Sequence, residues 1–268
     1  MAEISIDDPL ATRAISSTEG HVDTLKDANE SDTNRETAES LSTPQLKILL
    51  NKDFDKKICF DFLNTKAAGI DFGGGIIQIH PHLSEALKMD ELSAKDLISK
   101  YFDQFYLEHQ DELAQVRKEA ENVWIKKQES FFKACNVYFE NHPWPEGKYE
   151  AYQSIINCNP RSLEDKTFQF YWQHPQGFSS VAAHEMLHFL FFDLAKKIIP
   201  GINPEDQKLW AISEVFNGLI MEEAEFTQII GNQRPEQYPD LVRTQAELRE
   251  VWNKNKKAKN FILSTLSS

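Results

Sequence analysis

The sequence predicts an α+β domain over residues 43–268, with a small mixed sheet packed on helices, and three observations carry that expectation. Apolar residues recur at three-to-four spacing from Ser93 to about Tyr138, as on one face of a long helix. Two segments, KYEAYQSIIN (148–157) and TFQFYWQ (167–173), read as strands separated by a loop around Pro160 and Asp165. The run VAAHEMLHFLFF, Val181 to Phe192, is apolar nearly all round, which suits a helix in the interior.

A chain of 268 residues with 41% hydrophobic content and 18 phenylalanines is long enough to bury a real core. Its formal net charge of −13 argues against a nucleic-acid partner, which calls for a basic patch. Asp193 and Lys196 interrupt the best apolar run, so no membrane span is expected. MAEISIDDPLATR has neither a basic start nor an apolar core, unlike a secretory signal. The three cysteines, Cys59, Cys135 and Cys158, are odd in number and form no CxxC, so reduced thiols in a cytoplasmic protein are expected.

Residues 1–42 hold ten acidic residues against Arg13, Lys26 and Arg35, and no aromatic residue. Such a segment cannot bury enough apolar area to offset its ordering entropy, which predicts a disordered acidic tail. Ser42-Thr43-Pro44 reads as a helix start leading into QLKILLNKDF. KICFDFL (57–63) and IIQIHPHL (76–83) read as strands around a turn with Gly73, Gly74 and Gly75. The long helix ends at Asn141-His142-Pro143. Ser179 or Ser180 is placed to cap the apolar helix, and Pro200-Gly201 ends it, with a second lobe from about residue 201. Helices are then expected from about Pro204 to Ile230 and from about Leu241 into the C-terminus, the last broken by KNKKAK.

Within the apolar helix, HEMLH sets His184 and His188 four residues apart, on one face and about 6 Å apart in rise. That spacing lets both imidazoles reach one tetrahedral zinc ion, with Glu185 beside them as a base. Between Val181 and Leu194 the only other polar side chain is Asp193, which falls on the opposite side from His184. Buried polar groups cost about 1–3 kcal/mol each unless paired, so His184, Glu185 and His188 call for a common partner. The plainer alternative has backbone carbonyls satisfying the two histidines and leaves Glu185 unexplained. Catalytic zinc takes three protein ligands. LWAISEVFNGLIM, Leu209 to Met221, contains a single charge, Glu214, and supplies the best third ligand. A salt bridge to a buried Arg or Lys is the other reading of Glu214. Glu222, Glu223 and Glu225 lie in a more polar stretch and are weaker candidates.

HEMLH followed by Glu214 in LWAISEVF resembles the gluzincin group of zinc metallopeptidases, over about residues 166–226. The pattern Leu-Trp-x-x-x-Glu-x-Phe is similar to the glutamate helix of zinc aminopeptidases. The resemblance implies a zincin-like domain, one zinc ion on His184, His188 and Glu214, and Glu185 as general base and acid. It implies hydrolysis of a peptide or protein substrate, with a substrate strand pairing beside KYEAYQSIIN or TFQFYWQ. An oxyanion stabiliser is expected, and Tyr238, Arg234 and Tyr171 are the candidates. Where many gluzincins carry an Asp four residues after the ligand Glu, this chain has Gly218, and Asn217 is the nearest substitute. Two other readings stand beside the peptidase. One is a regulatory cytosolic protease, although no helix-turn-helix is found. The other is a degenerate zincin whose metal serves folding or partner binding.

Overall fold

A computed structural model describes residues 43–231 and 238–266, so the predicted tail (1–42) and Arg234 lie outside the described residues. The described chain is mixed α+β, mostly helical, with one small mixed sheet.

The chain enters through strand β1 (Leu46–Leu50), not through the expected helix. Leu46 and Ile48 are buried and Lys47 is exposed, the alternation of a half-covered strand. Helix α1 (Lys52–Phe62) follows, capped by Asn51, whose side chain accepts from the Phe54 amide at 3.1 Å. KICFDFL is therefore helical and not a strand. Asp55, Ile58, Cys59 and Phe62 repeat at three-to-four spacing and share the buried face. A two-residue turn, Ala68 and Gly69 both at positive φ, joins the short strands β2 (Lys66–Ala67) and β3 (Ile70–Asp71).

The glycine run belongs to the first turn of helix α2 (Phe72–Ile79), again against the strand expectation. Asp71 caps it, accepting from the Gly74 amide at 2.8 Å. A Cβ on Gly73 would lie 1.9 Å from the Leu63 carbonyl oxygen, so the close passage of two backbones requires glycine there. A 3₁₀ segment (Pro81–Lys88) leads to α3 (Glu91–Glu108), and α4 (Gln110–Tyr138) follows after His109. The long periodic stretch is thus two helices.

Strands β4 (Tyr149–Ser154) and β6 (Thr167–Tyr171) form where expected, and β5 (Arg161–Ser162) lies in the loop between them. The sheet order is β1-β4-β6-β5, with β1, β4 and β6 parallel and β5 antiparallel to β6. β4 and β6 are consequently interior strands whose edges are taken, so neither offers the edge that a substrate strand needs. The edges are β1 and β5.

The apolar helix is α5 (Phe178–Ile198), buried at every position from Phe178 to Leu194 but Asp193. Its N-cap is Gly177 at φ 73°, and Ser179 and Ser180 stand inside the first turn, not at the cap. The positive φ is open at little cost only to glycine. The predicted helix from Pro204 to Ile230 divides into α6 (Gln207–Ile220), capped by Asp206, and α7 (Ala224–Ile230). α8 (Val242–Lys254) and α9 (Ala258–Leu266) close the described chain, separated within the basic patch as expected.

Two apolar clusters result. The main one surrounds α5, which packs on α4, α6, α7, α9 and β6. The second gathers Ile58, Phe62, Ile76, Ile98 and Phe102 of α1, α2 and α3 with Ile155 and Ile156 beyond β4. No described helix is long and apolar enough to cross a membrane.

Candidate metal centre

Because α5 is buried on all sides, its polar residues must meet partners on neighbouring elements. His184 and His188, one turn apart, turn their Nε2 atoms toward each other at 3.0 Å. From the facing helix α6, Glu214 sets Oε2 at 3.2 Å from His184 Nε2 and Oε1 at 3.3 Å from His188 Nε2. These three form the one group of metal-ligating type among the described residues.

The donor set fits zinc. Ligands bound at 2.0–2.1 Å around a tetrahedral ion stand about 3.3 Å apart, close to the spacing of these nitrogen and oxygen atoms. Nitrogen and carboxylate donors of this kind also match its borderline softness. The protonation state agrees. Burial and the nearby Arg161 hold His188 well below its usual pKa, so the imidazole is neutral and a competent ligand. Burial alone would push the Glu214 carboxyl up. The hydrogen bonds from the two histidine rings and the fixed charge of Arg161 hold it well below the usual range, as a carboxylate.

Arg161, on the edge strand β5, is the residue that sequence reasoning missed. One guanidinium nitrogen lies 3.1 Å from Glu185 Oε2 and the other 3.2 Å from Glu214 Oε1. Glu214 thus faces two histidines and also a buried arginine. The signal for a cation was the pair of carboxylates in apolar helices. Nothing in CNPRSLED marked this arginine as the one. Of the five side chains His184 is the most exposed, at 8%.

Around this centre, Asn217 Nδ2 donates to the His184 backbone carbonyl at 2.8 Å and ties α6 to α5. It therefore braces the helix and does not orient a histidine ring, while His188 Nδ1 is buried with no hydrogen-bond partner. Asp193 pairs with His142 at 2.8 Å, on another face as expected. The weaker candidates are engaged elsewhere: Glu222 with Arg249, Glu223 with Trp252 and Lys256, Glu225 with Tyr138. The Tyr171 hydroxyl donates to Gln173 at 3.2 Å, and Tyr238 packs edge-on against Trp210. Among the described residues the cation that lies against the cluster is Arg161. Comparison of the chain with protein-family models, curated proteins and solved structures finds no match in any of the three.

Proposed function

We propose that the chain is a zinc-dependent peptidase with a zincin-like architecture, acting on a peptide or protein substrate. The observation that carries this reading is the convergence of His184, His188 and Glu214, with Glu185 adjacent on the same helix. Zinc bound there would supply Lewis acidity, acidifying water and polarising a scissile carbonyl. Glu185 accepts the proton of the attacking water and returns it to the departing amine. Arg161 holds one oxygen of that carboxylate, which fixes its orientation. Three buried free thiols, Cys59, Cys135 and Cys158, support a reducing, cytoplasmic setting for the activity.

A second reading, a metal held for folding, is favoured by one observation. Glu185, His188 and Arg161 are almost wholly buried, and a closed site suits a structural ion. Glu185→Gln separates the two. Gln keeps the size and an oxygen for Arg161 but accepts no proton. The variant is expected to retain one equivalent of zinc and to lose at least about a hundredfold of peptidase activity, since general-base help is worth about 10²–10⁴-fold. Undiminished cleavage in the variant refutes the role of Glu185. A wild type that holds zinc tightly and cleaves nothing in a broad peptide library makes the folding role the correct one.

A further inference from the structure

Arg161 is the one fully buried lysine or arginine among the described residues, and it sits on a strand of only two residues. A guanidinium there is costly unless its charge is matched. The match is unusual in form. The two Nη atoms do not grip one carboxylate but bridge two, Glu185 and Glu214, from two different helices. The guanidinium thus sets one fixed positive charge against two carboxyl groups at 3.1 and 3.2 Å. Remove the arginine, and both carboxyl groups lose the fixed positive charge that faces them in the interior.

We infer that Arg161 is a built-in counter-cation, a positioning residue that lets the chain fold without its metal and holds Glu185 and Glu214 in place for metal entry. The inference rests on the metal reading only for its second half. Its first half concerns the metal-free protein alone. Small metal sites often exist only once the ion binds, because binding energy is folding energy. Here a fixed charge replaces part of what the ion would contribute, so the ligand spacing is formed beforehand. Zinc then enters a prepared site and can leave it without unfolding the protein.

The test is a cycle of four proteins, wild type, Arg161→Met, Glu185→Gln and the double variant, each melted in EDTA and in zinc. Methionine keeps much of the volume and removes the charge. Wild type should melt cooperatively in EDTA. Arg161→Met in EDTA should lose roughly 10 °C or more, the scale of breaking a buried ion pair in a domain of this size. Adding Glu185→Gln should restore part of that loss, because one of the two carboxyl groups that Arg161 faced is then neutral. Zinc should raise the melting temperature of Arg161→Met more than that of wild type. If Arg161→Met gives no folded protein in EDTA, a folded double variant supports the inference and an unfolded one overturns it. Equal losses in both backgrounds, with no rescue by Glu185→Gln, also overturn it, since volume and not charge would then be at stake. If wild type takes up no zinc while the EDTA cycle behaves as expected, the counter-charge stands and the metal reading falls.

Discussion

Glu214 is the most heavily used side chain of the centre, since one oxygen faces His184 and the other is shared by His188 and Arg161. Glu214→Ala should therefore weaken zinc binding at least about a hundredfold, because even partners behind a ligand are worth 10–100-fold. Glu222→Ala breaks a paired contact with Arg249, whose side chain is 40% exposed, and should leave zinc stoichiometry unchanged. Metal analysis of the two purified variants decides the matter, and the reverse order of effects would remove Glu214 from the ligand set. The four residues His184, Glu185, His188 and Glu214 were legible because each is a polar side chain in an otherwise apolar helix. Polarity in such a context demands a partner, and helical spacing says which residues share it. Arg161 was not legible for the opposite reason. It stands next to Pro160 in a short polar stretch with no period, where an arginine ordinarily faces solvent. Only the three-dimensional pairing of β5 with β6 takes it inside.

At the level of elements, the junction between α1 and the end of β4 depends on one buried carboxylate. Asp55 accepts from the Ile155 amide at 3.0 Å, the Tyr106 hydroxyl at 2.8 Å and the Ser154 hydroxyl. Burial pushes its pKa from 3.8 up to about 6, against the lowering effect of those hydrogen bonds. Between these two values the folded protein keeps a proton that the unfolded chain has released, so stability should fall as pH rises from about 4 to about 6. The total is about 3 kcal/mol. Asp55→Asn can preserve the contacts, with its oxygen toward Ile155 and Tyr106 and its amide toward Ser154, and should flatten that slope. Asp55→Ala strands the Ile155 amide and the Tyr106 hydroxyl and should cost about 2–4 kcal/mol at any pH. Denaturant titrations of the three proteins at pH 4 and pH 7 read both effects, and an unaltered slope in Asp55→Asn removes Asp55 as its source. The same junction shows where sequence patterns mislead. Asp55 is a buried polar residue inside KDFDKKICFDF, and its presence broke the apolar rhythm that would have marked α1 as a helix. The strands β4 and β6 were legible through their aromatic content. Their neighbours were not, since β1 arrives from about a hundred residues earlier and β5 is two residues long.

For the molecule as a whole, residues 1–42 carry a net charge of −7 out of −13 and no aromatic residue. Removing them spares β1, which starts at Leu46, and should leave the melting temperature within about 2 °C. A larger drop in a thermal melt would mean that the segment contributes to the folded body. The consequence of metal binding is better placed, because the described chain has two cores and the candidate centre belongs to one. His184, Glu185 and His188 lie on α5, and Glu214 lies on α6, both in the main cluster, whereas α1, α2 and α3 build the second. A ligand at about a hundred times its dissociation constant stabilises every conformation that binds it by about 2.7 kcal/mol, and only those. Openings that break the α5–α6 contact lose the metal, while openings confined to α3 keep it. Amide hydrogen exchange should therefore slow up to about a hundredfold in α5 and α6 when zinc is added, with α3 changed less than about twofold. Equal slowing in α3 would mean that the two cores open only together, as one cooperative unit. No change anywhere would mean that His184, His188 and Glu214 hold no zinc, however well their spacing suits it.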